Sequence, residues 1–352
     1  MKHSSASLLL CAAIKAVLSE SLRKKSILDI DCTAWATPGL LLLPLVAFFI
    51  SRYQIFGESP DYAGYDLFFD SLRSSGLDIF GETRFEPGFA ILGLALVSLV
   101  SSNLVVYGLI GAGAVFLKGL VVNLFSSNRV VFCALVIFYF ARFFPLHELT
   151  QLRVALAAAM LLVAAACLWN GKKALGLMAC LVALTFHVSA IIVIPFLFVQ
   201  ATRRWKAVLA GVFVFVCIFF GVDLLINELT SSVPLVDMYQ HAGFGEVHNP
   251  LSAALLLDWA TIIAGLGMWN RLPLAMKRVL LLQLIGMAIF YSTSDFAVAS
   301  HRIREFFTVF WLIFFAQGLQ IGSVGKAVSA VFLIVNVGLY SYLFVFSGQF
   351  FS

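Results

Sequence analysis

Charge is scarce in this chain: 12% of its 352 residues are Asp, Glu, Lys or Arg, about half the share usual in a soluble domain. Set against 62% hydrophobic residues, 35 phenylalanines and a mean hydropathy of +1.01, that scarcity excludes a water-soluble protein and marks an integral membrane protein. Long polar stretches are also missing, which leaves no room for a sizeable soluble domain, so residues 1–352 read as a single transmembrane domain. Cysteine pairing is not indicated either. Cys11, Cys32, Cys133, Cys167, Cys180 and Cys217 lie mostly inside apolar runs without paired spacing, as small core residues do; they suggest neither a disulfide framework nor a metal site. No Gly-rich nucleotide loop, metal-ligand spacing or nucleophile elbow occurs. No cofactor, metal or nucleic-acid partner is therefore expected. The net charge of +5 needs no acidic partner, because positive-inside loops alone produce it.

What charge there is sets the topology. A hydrocarbon core about 30 Å thick takes roughly 20 helical residues, and basic clusters mark cytoplasmic ends. Here they are Arg23-Lys24-Lys25, Lys172-Lys173, Arg203-Arg204-Lys206, Arg271 with Lys277-Arg278, and Lys326. Together they imply an all-α polytopic protein of about 12 transmembrane segments, with extracytoplasmic loops at 52–86 and 224–250. The apolar segment after "MKHSSAS" reads as a short first span and not as a cleaved signal. Between Lys173 and Arg203 both ends are cytoplasmic. The chain must cross and return in two short arms, 174–186 and 189–202, with "FHVSA" at the outer apex. Residues 87–126 need an odd number of crossings in a length that suits two. A partial or re-entrant helix over 87–101 resolves this, provided protein or water covers its backbone.

With those sides assigned, the outer basic residues are Arg52, Arg73, Arg84, Arg142, Arg153, Arg302 and Arg304, with no lysine among them. Arginine stays charged, is weakly hydrated and grips phosphate with two parallel hydrogen bonds, so this bias points to oxyanion binding. The loop 52–86 adds acids and tyrosines, including Asp61, Tyr65 and Glu86, a mixture that suits sugar. Asp66, Asp70, Asp78 and Glu82 read as solvated. In "TRFEPGF", Pro87 fits the first turn of a helix and leaves Glu86 at its cap, facing free N–H groups. In "HELTQLRVALAAAM", Gln151 and Arg153 open an alanine-rich helix whose small residues permit close packing. Ionisable groups there are costly and usually paired. His187, in "LTFHVSAIIVIP", sits at the apex of the short arms, where a neutral imidazole could accept a proton. In "SDFAVASHRIREFF", Arg302 and Arg304 diverge on a helix, and Arg304, beside Glu305, is taken as the one that faces the site. With no nucleotide site, a sugar donor would be lipid-linked, its diphosphate lying at the outer boundary among the arginines.

These residues resemble the EpsG-type, Wzy-like polysaccharide polymerases of bacteria. The resemblance rests on "SRYQIFGESPDYAGY", "EPGF", "QLRVALAAAM", "FHVSAIIVIP" and "RIREFF", which occur in the family's order over roughly residues 30–310. Val188 and Val154 depart from the lysine and glutamine common there, and a serine and a proline are added before Asp61. The resemblance implies a GT-C-like helical bundle in the bacterial inner membrane. Such a protein joins undecaprenyl-diphosphate-linked oligosaccharide units, donor and acceptor, on the periplasmic side, sometimes with a chain-length regulator as partner. On that reading His187 and Glu86 are the candidate proton acceptors, and Arg52, Asp61, Tyr65, Arg84, Gln151, Arg153 and Arg304 bind substrate. A ligase or single-sugar transferase, and a transporter or flippase of lipid-linked sugar, remain open alternatives.

Overall fold

The computed structural model describes residues 60–79, 85–126, 128–199, 249, 251–293 and 297–343, with most of 206–216. Every regular element among these is helical. In chain order they are α1 (Pro60–Ser75), α2 (Pro87–Val97), α3 (Asn103–Phe125), α4 (Arg129–Arg142), α5 (Phe144–His147), α6 (Leu152–Trp169) and α7 (Lys173–Phe186). Then follow α8 (Ile194–Leu197), α9 (Ala253–Gly267), α10 (Leu274–Ser292), α11 (Ala297–Thr308), α12 (Trp311–Gly318) and α13 (Ser323–Tyr342). By length and composition α3, α6, α10 and α13 can each cross a membrane, and α2, α7 and α9 are shorter apolar helices. The segment 33–51, Arg52, Arg84 and the loop 224–250 (save Asn249) lie outside the described residues.

The centre of the bundle is α6. Ala155, Ala157, Ala158, Ala159, Ala164 and Ala165 are all fully buried, and α6 packs against both α3 and α7. In lipid no hydrophobic force holds helices together, so close backbone approach through small side chains supplies the packing. The 11 residues of α2 rise about 16 Å, half the hydrocarbon thickness. This matches the partial helix expected over 87–101. The first arm expected at 174–186 is α7; the second is broken into a 3-10 turn, Val188–Ile192, and the single turn α8.

Part of the connecting segment expected over 52–86 is itself regular: residues 60–75 form a helix, and its buried stripe Tyr62, Tyr65, Phe69 and Leu72 follows helical spacing. Pro60 starts it, and Asp61 lies in its first turn, where the helix dipole favours an acid. The acids of this segment also dock it. Asp66 accepts hydrogen bonds from Tyr107 Oη (2.5 Å) and Asn103 Nδ2 (2.9 Å), while Arg73 donates to Asp70 (2.9 Å) and to Asn103 Oδ1 (2.5 Å). These contacts tie α1 to the start of α3.

Candidate functional site

The site is assembled from helix ends. Glu86 is the N-cap of α2 and has extended backbone angles, yet its side chain makes no capping hydrogen bond. It turns instead to two partners far away in sequence. Arg153 Nη1, in the first turn of α6, donates to Glu86 Oε2 at 2.7 Å. His187 Nδ1, at the C-cap of α7, lies 2.7 Å from Glu86 Oε1, and the Val188 N–H donates to the same oxygen at 3.3 Å.

Gly88 is what lets these ends meet. A Cβ at this position would come within 2.3 Å of Thr185 Oγ1 and 2.8 Å of the Thr185 carbonyl oxygen. The α2 backbone therefore lies directly on α7, two residues before His187. Pro87 sets the start of the helix, Gly88 the approach and Glu86 the contact, which accounts for "EPGF".

The electrostatics follow from this geometry. Burial pushes the Glu86 carboxyl up, but the His187 hydrogen bond and the Arg153 charge outweigh it and hold the group at about 2. An ionised carboxylate only accepts hydrogen bonds, so Nδ1 of His187 carries a hydrogen. In the neutral imidazole Nε2 is then the free acceptor. Such a pair can orient an imidazole and stabilise its protonated form, the role of the acid in an Asp–His arrangement. Glu86 itself is a weak proton acceptor at neutral pH.

Around this trio stand Phe85, under the Arg153 guanidinium at 4.7 Å, and Phe306, 5.6 Å from the His187 ring. Tyr65 is buried, with its hydroxyl against Arg153 and its ring 5.7 Å from both Phe85 and Phe89. Burial pushes the Tyr65 phenol up, so it stays a neutral hydrogen-bonding group. Asp61, on the turn of α1 before Tyr65, lies 3.7 Å from Arg302 Nη2, both side chains about a third exposed. Tyr65, Glu86, Arg153 and His187 therefore form one continuous array, with Asp61 one helical turn before Tyr65 at its edge. Gln151 is the N-cap of α6, two residues before Arg153; its Oε1 is buried, with no hydrogen-bond partner among the described residues.

Arg304 stands apart from this array, whereas Arg302 lies beside Asp61. Arg304 is 8% exposed and pairs with Asp258 on α9. Asp258 also accepts from Arg142 Nη2 (2.8 and 2.9 Å) and from Trp311 Nε1 (3.0 Å), while Arg142 Nη1 donates to Asn336 Oδ1 (2.6 Å). This buried knot binds α4, α9, α11, α12 and α13. Asp258 was legible as the only acid in an apolar segment, "LSAALLLDWATIIAGLG", where an ionisable residue calls for a partner.

A second buried knot was also missed. Lys118 Nζ donates to Glu148 Oε1 (2.5 Å) and lies 3.1 Å from His147 Nδ1, and all three side chains are at most 1% exposed. Lys118, inside the apolar run of α3, was the signal.

A model of the EpsG family matches residues 39–352. No curated protein matches the chain, and neither does any solved structure. A match over so much of the chain, whose described residues are helical and include four helices fit to span a bilayer, shows that it belongs to the EpsG family of polysaccharide-biosynthesis membrane proteins.

Proposed function

We propose that this protein is a multi-pass glycosyltransferase of the bacterial inner membrane that polymerises lipid-linked oligosaccharide repeat units on the extracytoplasmic side. Donor and acceptor are both carried on undecaprenyl diphosphate, with neither nucleotide nor metal in the chemistry. Four described spans, three shorter apolar helices and the undescribed apolar segments are compatible with a GT-C-like bundle of about a dozen segments.

The observation that carries the reading is the Glu86–Arg153–His187 contact. An acceptor sugar hydroxyl must lose a proton as its oxygen bonds to the anomeric carbon of the donor, and the glycosyl–oxygen bond to the departing diphosphate breaks. His187 Nε2 takes that proton. Glu86 holds the ring through Nδ1 and stabilises the imidazolium that forms. The diphosphate gathers negative charge as it leaves. Arg153 within the array and Arg302 at its edge bind it, and guanidinium groups act most strongly where water is excluded. Asp61 and Tyr65 line the sugar side, Gln151 supplies a buried amide oxygen, and Arg52 and Arg84 complete the phosphate-binding set. Arg304 serves the substrate indirectly, by holding α11 through Asp258 so that Arg302 and Phe306 face the array.

Reconstitution with a lipid-linked repeat unit tests this. Lengthening of the glycan is expected, and His187→Ala or Arg153→Ala should abolish it while leaving protein level and single-repeat glycolipid intact. Addition of one unit only would indicate a ligase or single-sugar transferase, and movement between leaflets a transporter. Unchanged ladders in both variants would overturn the assignment of residues.

A further inference from the structure

Lys118, Glu148 and His147 take no part in the chemistry proposed above, yet they are the most deeply buried ionisable group among the described residues. Breaking such a pair by removing one partner costs several kcal/mol, whereas matched apolar side chains commonly replace both without loss. Stability alone therefore gives little reason to keep charges here. Their connections give a better one.

His147 ends α5, and its carbonyl oxygen accepts from the Gln151 N–H at 3.0 Å; the Gln151 carbonyl in turn accepts from Ala155 at 2.9 Å. The turn 147–151 thus decides where α6 begins, and Arg153 lies in its first turn. A lysine ammonium only donates, so His147 Nδ1 is an acceptor and Nε2 carries the hydrogen. That nitrogen faces Glu305 Oε2 on α11 at 3.8 Å, close enough to pack against it but beyond hydrogen-bond reach. The next residue, Phe306, packs on the ring of His187. One end of the knot fixes Arg153 and the other reaches the residue beside the His187 wall. Buried His147 and half-buried His187 are opposite tautomers, each set by its polar neighbour.

We infer that Lys118, Glu148 and His147 are positioning residues: a buried charge network that sets the α5–α6 turn and the facing stretch of α11, and so aligns Arg153 and His187 on Glu86. The inference rests on reading that trio as the reacting group.

The test uses full-length protein in nanodiscs with 15N-labelled histidine. The His187 Nδ1–H resonance, assigned by its loss in His187→Asn, reports the bond to Glu86 whether or not any glycan is made. The double variant Lys118→Met/Glu148→Met removes both charges together. It is expected to unfold near the parent's temperature, to lose or shift that resonance, and to lengthen lipid-linked glycan about 10–100-fold more slowly, as a misplacement of about 1 Å can do. An unmoved resonance with the parent's rate would overturn the inference. Should the double variant fail to fold, His147→Leu decides: it keeps the Lys118–Glu148 pair and removes the imidazole that stands between that pair and Glu305. Loss of the resonance then supports positioning, and its persistence refutes it. A parent that shows the resonance but never lengthens glycan refutes the proposed function, while the comparison of resonances still judges the network.

Discussion

Glu86→Gln keeps the shape of the side chain and removes one charge. The glutamine oxygen can still accept from His187, but its amide N–H₂ then faces the Arg153 guanidinium, donor against donor. The folded-state value of about 2 against 4.5 corresponds to about 3 kcal/mol in favour of the ionised carboxylate. Solvent reaches one side of the group, and allowing for its screening leaves about 2 kcal/mol. The sign follows from a depressed folded-state value: the contribution is fully present above about pH 4.5 and is lost as the pH falls toward 2. Thermal unfolding of purified parent and variant across pH 2–7 measures it. The variant should be less stable at pH 7 and converge on the parent at the acid end. Glycan lengthening should fall about 10²–10⁴-fold at neutral pH, the range of general acid–base effects. A stability difference that stays constant from pH 7 to pH 2 would show that Glu86 is not held ionised by its two partners, and would remove the basis for treating it as the residue that orients His187.

Gly88→Ala drives a Cβ onto Thr185 and should cost about 1–3 kcal/mol by overpacking; Gly88→Ala/Thr185→Gly should recover part of that in the same unfolding measurement. Arg304→Ala and Arg302→Ala should separate cleanly. The first leaves the buried Asp258 with Arg142 and Trp311 as its partners and should cost about 1.5–3 kcal/mol, while the second removes a partly exposed 3.7 Å pair and should cost under about 1 kcal/mol yet slow lengthening. Equal losses of stability would contradict the division of roles between the two arginines. Tyr107→Phe removes a donor from Asp66 and should loosen α1 by about 1 kcal/mol, visible as faster proteolysis within residues 60–79.

Composition and basic clusters made the helical, membrane-embedded character legible, and the mismatch of length and sidedness over 87–126 identified the short helix before Asn103. The helix Pro60–Ser75 escaped because its acids and tyrosines were read for their chemistry and not for their period; Tyr62, Tyr65, Phe69 and Leu72 fall on one stripe. Glu86, Arg153 and His187 were each legible as costly charges or lone polar groups at apolar boundaries. Their mutual contact was not, since separations of 67 and 101 residues carry no local signal. The choice between Arg302 and Arg304 turned on Asp258, a partner from 46 residues away. Spacing shows that two side chains diverge, but which one meets an acid depends on how the helices pack.

The alanines of Leu152–Trp169 determine where this protein can evolve. Any larger side chain at Ala155, Ala158 or Ala165 would wedge apart neighbours already in contact, at about 1–3 kcal/mol each, and a displaced Lys173–Phe186 carries His187 with it. Drift is thereby channelled to the periphery, where segments facing lipid or water can be exchanged without disturbing the packing of Leu152–Trp169. If the proposed function holds, descendants of such a chain would change what they join long before they altered the spine on which the joining is aligned.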